Sequence, residues 1–337
     1  VPTSIGGWMD LNADGLGPVG FVMRPWPKSR GLVKSRRPDL NWWMDGFERR
    51  WAGPRRHHSL ELLHMSTADP NERPGRRPPQ LLRLIVAGLE SLSPYMVRVT
   101  VAGPELEGFA LDEPAASIRL LVPSPGTSDL VMPEWNGNEF LLPDGSRPII
   151  RTFTPRYFDP DGRAVDIDIV LHENGATSAW AREAQPGDPV AITGPGRGYR
   201  IDPSARSFFL AGDETAMPAI GQLLEQIPES IPVQVVVEVA HHDARLDLPD
   251  HPAASIAWVD RGTGDAPGTA LVAAVEGATI EAGTKVWVAG EAGSLFHIRR
   301  NLMEERALPR SDVTCLLYTS PSPRDERRYL VCRLLLE

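Results

Sequence analysis

RTFTPR, residues 151–156, is the stretch from which the rest of the chain is read. Thr and Phe favour extended backbone, and Pro155 cannot donate to a ladder beyond it. The period of a strand puts Arg151 and Phe153 on one face, with Thr154 at its edge. A fixed cation, a flat ring and a hydroxyl suit a ligand that carries phosphate and a planar ring system with hydrogen-bonding nitrogens. Taken alone, the hexapeptide is equally an ordinary strand with a solvated Arg and a core Phe.

About 25 residues on, GATSAWAREAQPGD (175–188) opens with Gly175, Ala176, Thr177 and Ser178, runs through helix formers and stops at Pro186-Gly187. The start of such a helix offers free N–H groups at the positive end of its dipole, a ready place for an anion. A simple capped helix has the same sequence; next to the Arg-aromatic-Thr strand it reads as a dinucleotide cradle. GPGRGY (194–199) looks like a dinucleotide-binding glycine loop, but IDPSAR follows it instead of a helix, so it is read as a turn leaving the barrel.

Around these segments the chain is made of short strands. LLRLIVAGLESLSPYMVRVTVAG from Leu81, SIRLLVP (117–123), AVDIDIVLH (164–172) and DPVAITG (188–194) are partly alternating and punctuated by Pro and Gly. They predict an antiparallel barrel or sandwich over 79–205. From 206 to 314 the texture changes to apolar strands alternating with helices: SFFLAG, VQVVVEV, SIAWV and KVWVAG, with helices over 214–227 and 294–308. That alternation predicts a parallel sheet covered on both sides, with ligands at the carboxyl ends of its strands. Asp213, Glu214 and Glu291 fall at those ends; their carboxylates would meet ribose hydroxyls or a carboxamide, or cap the following helices. Residues 1–78, with five of the nine Trp and no sustained period, read as a poorly ordered extension, and 315–337 as an atypical tail.

Composition bounds the function. The chain has 337 residues and a net charge of -9, unevenly spread: residues 1–79 hold 13 Lys+Arg against 8 Asp+Glu. An acidic body argues against nucleic acid, so an anionic ligand has to meet a local basic pocket. No apolar run approaches the roughly 20 residues of a membrane span, and no leader sequence is evident, so a cytoplasmic location without membrane insertion is expected. The two cysteines, Cys315 and Cys332, cannot organise a core. The adjacent pairs His57-His58 and His241-His242 lack ligand spacing, so no bound metal is expected. Hydrolase elbow, zinc-protease and Walker motifs are missing as well.

In order, RTFTPR, VDIDIVLHENGATSAWAREAQPGDPVAITGPGRGY, FFLAGDETAMPAIGQLLE and WVAGEAGSLFHIRRNLMEE resemble the siderophore-interacting protein family, over roughly 80–314. These are the ferric-siderophore reductases among the ferredoxin-reductase-like flavoproteins. The resemblance implies a six-stranded antiparallel FAD-binding barrel followed by a parallel-sheet NAD(P)H-binding domain. It implies that Arg151, Phe153, Thr154, His172, Gly175, Ala176, Thr177, Ser178 and Trp180 form the FAD site, and that Asp213, Glu214, Thr215 and Glu291 form the nicotinamide side. Chemistry carried by a flavin agrees with the lack of a nucleophile or general acid in the motifs above. NADPH or NADH would supply electrons, with ferredoxin as an alternative donor, and a ferric siderophore would be the substrate. Because many siderophores are anionic, Arg119, Arg151 and Arg156 are the substrate-binding candidates. Rival readings are a general NAD(P)H:flavin or ferredoxin-linked reductase and a catalytically silent siderophore binder. Phe153 stands where the family has Tyr, and CLLYTSPSPRD (315–325) where it has a Tyr-Trp-Arg-like segment. Arg245, beyond VVVEV, is a lone candidate for a 2′-phosphate.

Overall fold

The structure, a computed structural model, describes residues 79–317 apart from 138 and 174, all within one compact unit. The extension 1–78, His57, His58 and Cys332 lie outside the described residues.

The first half is built on the hairpin of β1 (Leu81–Ser93) and β2 (Met96–Ala102), in which Ser93 faces Met96 across the turn. It continues through β3 (Ile118–Val122), a small separate hairpin of β4 (Glu134–Trp135) and β5 (Phe140–Leu141), then β6 (Ile149–Phe153), β7 (Pro155–Asp159) and β8 (Ala164–Val170). Helix α1 (Ala176–Glu183) and β9 (Pro189–Thr193) complete it. Strand order is β6-β3-β9-β1-β2-β8-β7, every pairing antiparallel.

The family resemblance implies six strands, and seven segments are found. The difference lies at Pro155. β6 and β7 are halves of one extended stretch separated by Thr154 alone; β6 pairs with β3 and β7 with β8, at opposite ends of the sheet. A proline interrupts the ladder at the point where the chain turns from one edge to the other, so this stretch carries the sheet round into a barrel. Its interior is aliphatic: Leu84, Val86, Val99, Val101, Ile118, Leu120, Val165, Ile167 and Ile192 are fully buried. Each contributes about 1.5–3 kcal/mol relative to an exposed side chain.

The second half has β10 (Ser207–Gly212), a 3-10 turn over Glu214–Ala216, α2 (Met217–Gln226), β11 (Val233–Val239), β12 (Ala254–Asp260), α3 (Thr269–Gly277), β13 (Thr284–Gly290), α4 (Ala292–Arg300) and β14 (Val313–Leu317). All five strands are parallel, in the order β12-β11-β10-β13-β14. On α2 the predicted apolar face Met217, Ile220, Leu223, Leu224, with Ile227 just past the helix, is buried on the sheet. The helix expected over 294–308 ends at Arg300 and continues as a π turn over Asn301–Glu305. β14 includes Cys315, Leu316 and Leu317, assigned to the tail on sequence, and pairs with β13 from Val286↔Val313 to Gly290↔Leu317. Helix α3 is invisible to periodicity because TALVAAVEG is apolar on nearly all sides.

The barrel is tied to this sheet through α2. Gln222 is buried; its amide nitrogen donates to the carbonyl of Pro155 at 2.7 Å and its oxygen accepts the N–H of Ala115 at 2.8 Å. Both contacts fall on the barrel segments that flank the site.

Candidate functional site

β6 and the break behind it deliver Arg151, Phe153 and Thr154 to a cleft of about 230 Å³. The N-terminus of α1 lines the same cleft, as do Thr215 and Pro218 after β10, and Leu316 and Leu317 of β14. It therefore lies where the barrel meets the carboxyl ends of the parallel strands.

The helix start is left open toward it. Gly175 occupies the N-cap with extended backbone and no side-chain cap, although the first N–H groups of a helix ordinarily need one. A Cβ at Gly175 would lie 2.9 Å from the Ser178 hydroxyl. That hydroxyl accepts the N–H of His172 at 3.0 Å and donates to the carbonyl of Val170, fixing the helix to the end of β8. Thr177 is different: it is buried, and its hydroxyl has no partner. Leaving such a group unsatisfied costs about 1–3 kcal/mol, so a ligand that bonds it recovers that stability. An orphan hydroxyl, uncapped helix N–H groups, the Arg151 guanidinium and the Phe153 ring fit the phosphates and flat ring of a flavin dinucleotide.

Not every expected site residue reaches this cleft. Arg151, Phe153, Thr154, His172, Gly175, Ala176, Thr177, Ser178 and Thr215 line it. Trp180 packs on the barrel core instead. Glu291 caps α4, accepting the N–H groups of Gly293 and Ser294, and Glu214 accepts the N–H of Ala240 at the end of β11. Arg119 is exposed on β3 opposite Thr152, outside the cleft lining, and Arg156 is buried in an ion pair with Glu225 of α2. Two charged residues enter without having been anticipated. Arg197 comes from the glycine-rich turn 194–199, and Asp168 from β8, where its carboxylate is held by Arg98 at 2.7 and 2.9 Å. The turn's closeness was legible in its glycines: a Cβ at Gly198 would stand 2.7 Å from the carbonyl of Pro114. The imidazole of His172 holds its proton less readily than a free histidine, mainly because the surrounding protein keeps water from it.

Asp213, at the end of β10, accepts the N–H and the hydroxyl of Thr215 at 2.9 and 2.5 Å. Loss of hydration pushes its carboxyl up to about 6; the Thr215 bonds oppose this, and the charges of Glu214 and Glu238 reinforce it. An acid with a raised value binds its proton more tightly folded than unfolded, so stability falls as pH rises from about 4 to about 6 and is level above. Asp213→Asn keeps an acceptor for Thr215. Melting temperatures taken across that range are expected to show the slope flattened in the variant, which should be more stable than the parent above pH 6. An unchanged slope would place the titration elsewhere.

Comparison with known proteins decides the family. Residues 85–199 match the siderophore-interacting FAD-binding domain, and residues 205–318 match the siderophore-interacting protein domain that follows it. The chain belongs to the siderophore-interacting protein family. A crystal structure of a siderophore utilization protein from T. fusca is 35% identical with a TM-score of 0.65, covering 73% of this chain and 95% of that one. The ferric vibriobactin reductase ViuB of Vibrio cholerae is 28% identical over 70% of this chain and 88% of its own. An uncharacterized protein of Mycobacterium tuberculosis is 37% identical over 52% of this chain, and the match spans 64% of its length. The described residues thus form an FAD-binding barrel followed by a parallel five-stranded sheet, and the ferredoxin reductase in carbazole 1,9a-dioxygenase, 13% identical with a TM-score of 0.53, shares this fold. Among the described residues no helix is long and apolar enough to cross a membrane.

Proposed function

We propose that this chain is an FAD-dependent reductase of ferric siderophores, acting in the cytoplasm with electrons from NAD(P)H. The supporting observation is the cleft itself: an Arg-aromatic-Thr strand and an uncapped helix start with an orphan hydroxyl, adjoining the carboxyl edge of a parallel sheet. ViuB, 28% identical, is a ferric vibriobactin reductase by name.

In this reading Arg151 and the N–H groups of α1 would hold the phosphates, the Phe153 ring would pack on the flat ring system, and the Thr177 hydroxyl would bond a polar atom of the cofactor. When bound, FAD supplies the conversion between two electrons taken as hydride and electrons given singly. Leu316, Leu317 and Pro218 line one side of the cleft. Arg197, exposed on its turn, is the cation best placed to meet an anionic siderophore. Hard oxygen donors hold Fe(II) less tightly than Fe(III), so reduction would release the metal.

Purified protein is expected to show flavin absorbance near one equivalent, and to form a ferrous chelate when mixed with a ferric siderophore and NADH, NADPH or reduced ferredoxin. A flavin-free protein that still binds ferric siderophores would point to a silent binder. Equal rates with free flavin or ferricyanide and none with siderophores would point to a general reductase.

A further inference from the structure

The reductant can be narrowed from the far end of the parallel sheet. β11 and β12 end together, with Val239 opposite Asp260, and the N–H of Arg261 donates to the carbonyl of Val239. After β11 the chain makes a 3-10 turn over His242–Ala244, which returns Arg245 toward β12. One guanidinium nitrogen of Arg245 donates to both carboxylate oxygens of Asp260, at 2.8 and 2.7 Å. This pair lies on the edge that also carries Asp213 and Glu291, and Glu214 joins it to β10 through the N–H of Ala240.

Sheets of this kind bind dinucleotides across their carboxyl edge. There an acidic residue accepts the adenosine ribose 2′-hydroxyl of NADH, whereas an arginine receives the 2′-phosphate of NADPH. Both residue types are present here, and their contact decides between them. Arg245 is already engaged by a carboxylate, and Asp260 is half-exposed, at 52% of its side chain, with acceptor capacity left for a hydroxyl. A 2′-phosphate would have to approach that carboxylate at close range, and like charges so placed repel strongly. Arg261 follows just past β12, and its charge acts toward His172 of the cleft.

We propose that Asp260, by holding Arg245, makes NADH the reductant and excludes NADPH. This rests on the reductase reading above. The test uses the flavin-loaded full chain and two probes that lack nicotinamide, ADP-ribose and 2′-phospho-ADP-ribose, titrated by calorimetry. The parent is expected to bind ADP-ribose at least about tenfold more tightly, a modest allowance for one like-charge contact. In Asp260→Asn the carboxylate is lost and Arg245 is released, so the preference should shift by at least about tenfold toward the phosphorylated probe. Adding Arg245→Ala to Asp260→Asn should take that gain away. Equal or tighter binding of the phosphorylated probe by the parent, an unchanged ratio in Asp260→Asn, or binding of neither probe would overturn the proposal. Photoreduced protein mixed with a ferric siderophore tests the reductase reading without any nucleotide, so the two can fail separately.

Discussion

Arg151→Ala is expected to emerge from purification folded but largely stripped of flavin. The residue is half-buried on β6, and one of its terminal nitrogens donates to the carbonyl of Ile150 at 2.8 Å, which holds the guanidinium along the strand. Among the described residues it makes no ion pair, and it fills no part of the core, so the fold should survive with a small change in melting temperature. The cleft loses more. Its other cationic side chain, Arg197, is exposed on a turn, and Asp168 contributes a negative charge that Arg98 already balances. The helix N-terminus would then face phosphate almost alone. A charge-assisted hydrogen bond is worth about 1.5–3 kcal/mol, which weakens binding roughly 10- to 150-fold. The ratio of flavin to protein absorbance reads this directly, and titration of stripped protein with FAD gives the affinity. Full flavin occupancy in the variant would mean that Arg151 faces something other than the cofactor's phosphates.

What the sequence discloses divides along physical lines. Local signals survive: the face of α2, the strand texture from Leu81 and the helix start at Gly175 depend on periodicity and small residues, which act over a few positions. The closure of the barrel does not, since it depends on Pro155 dividing one stretch between two sheet edges that are far apart in sequence. The end of β14 escaped because a short apolar run, VTCLL, becomes a strand only when β13 lies beside it. Charged residues are the hardest to place. Arg151 and Arg156 lie five positions apart in one motif, yet the first faces the cleft and the second is buried in an ion pair with α2. No periodicity encodes that choice, because the partner of Arg156 is 69 residues away.

That partnership carries the second large expectation, the loss of roughly 3 kcal/mol in Glu225→Ala. Both terminal nitrogens of Arg156 meet the carboxylate of Glu225, at 2.9 and 2.7 Å. The guanidinium lies against Gly221, where a Cβ would come within 3.0 Å of it, and 4.0 Å over the ring of Tyr157. Gly221 and Glu225 are one turn apart on α2, so the glycine makes room for the cation and the acid neutralises it. Only 7% of the Arg156 side chain is exposed, and deleting its partner strands a charge, which ordinarily costs about 3–5 kcal/mol. The lower figure is expected because 37% of Glu225 is exposed and a groove of about 870 Å³ borders the pair, so water can partly replace the carboxylate. For a body of this size the loss is about 6–12 °C in melting temperature. Replacing both residues with leucine should recover much of it, since an apolar pair leaves no stranded charge. A melting temperature within 1 °C of the parent for Glu225→Ala would show that the pair is dispensable. Because α2 also carries Pro218 into the cleft and Gln222 onto the barrel, the single variant should retain flavin less well, whereas the double variant should not. Flavin loss that follows stability in this way would assign Arg156 to joining the two domains, and flavin loss or siderophore discrimination independent of stability would return it to the site.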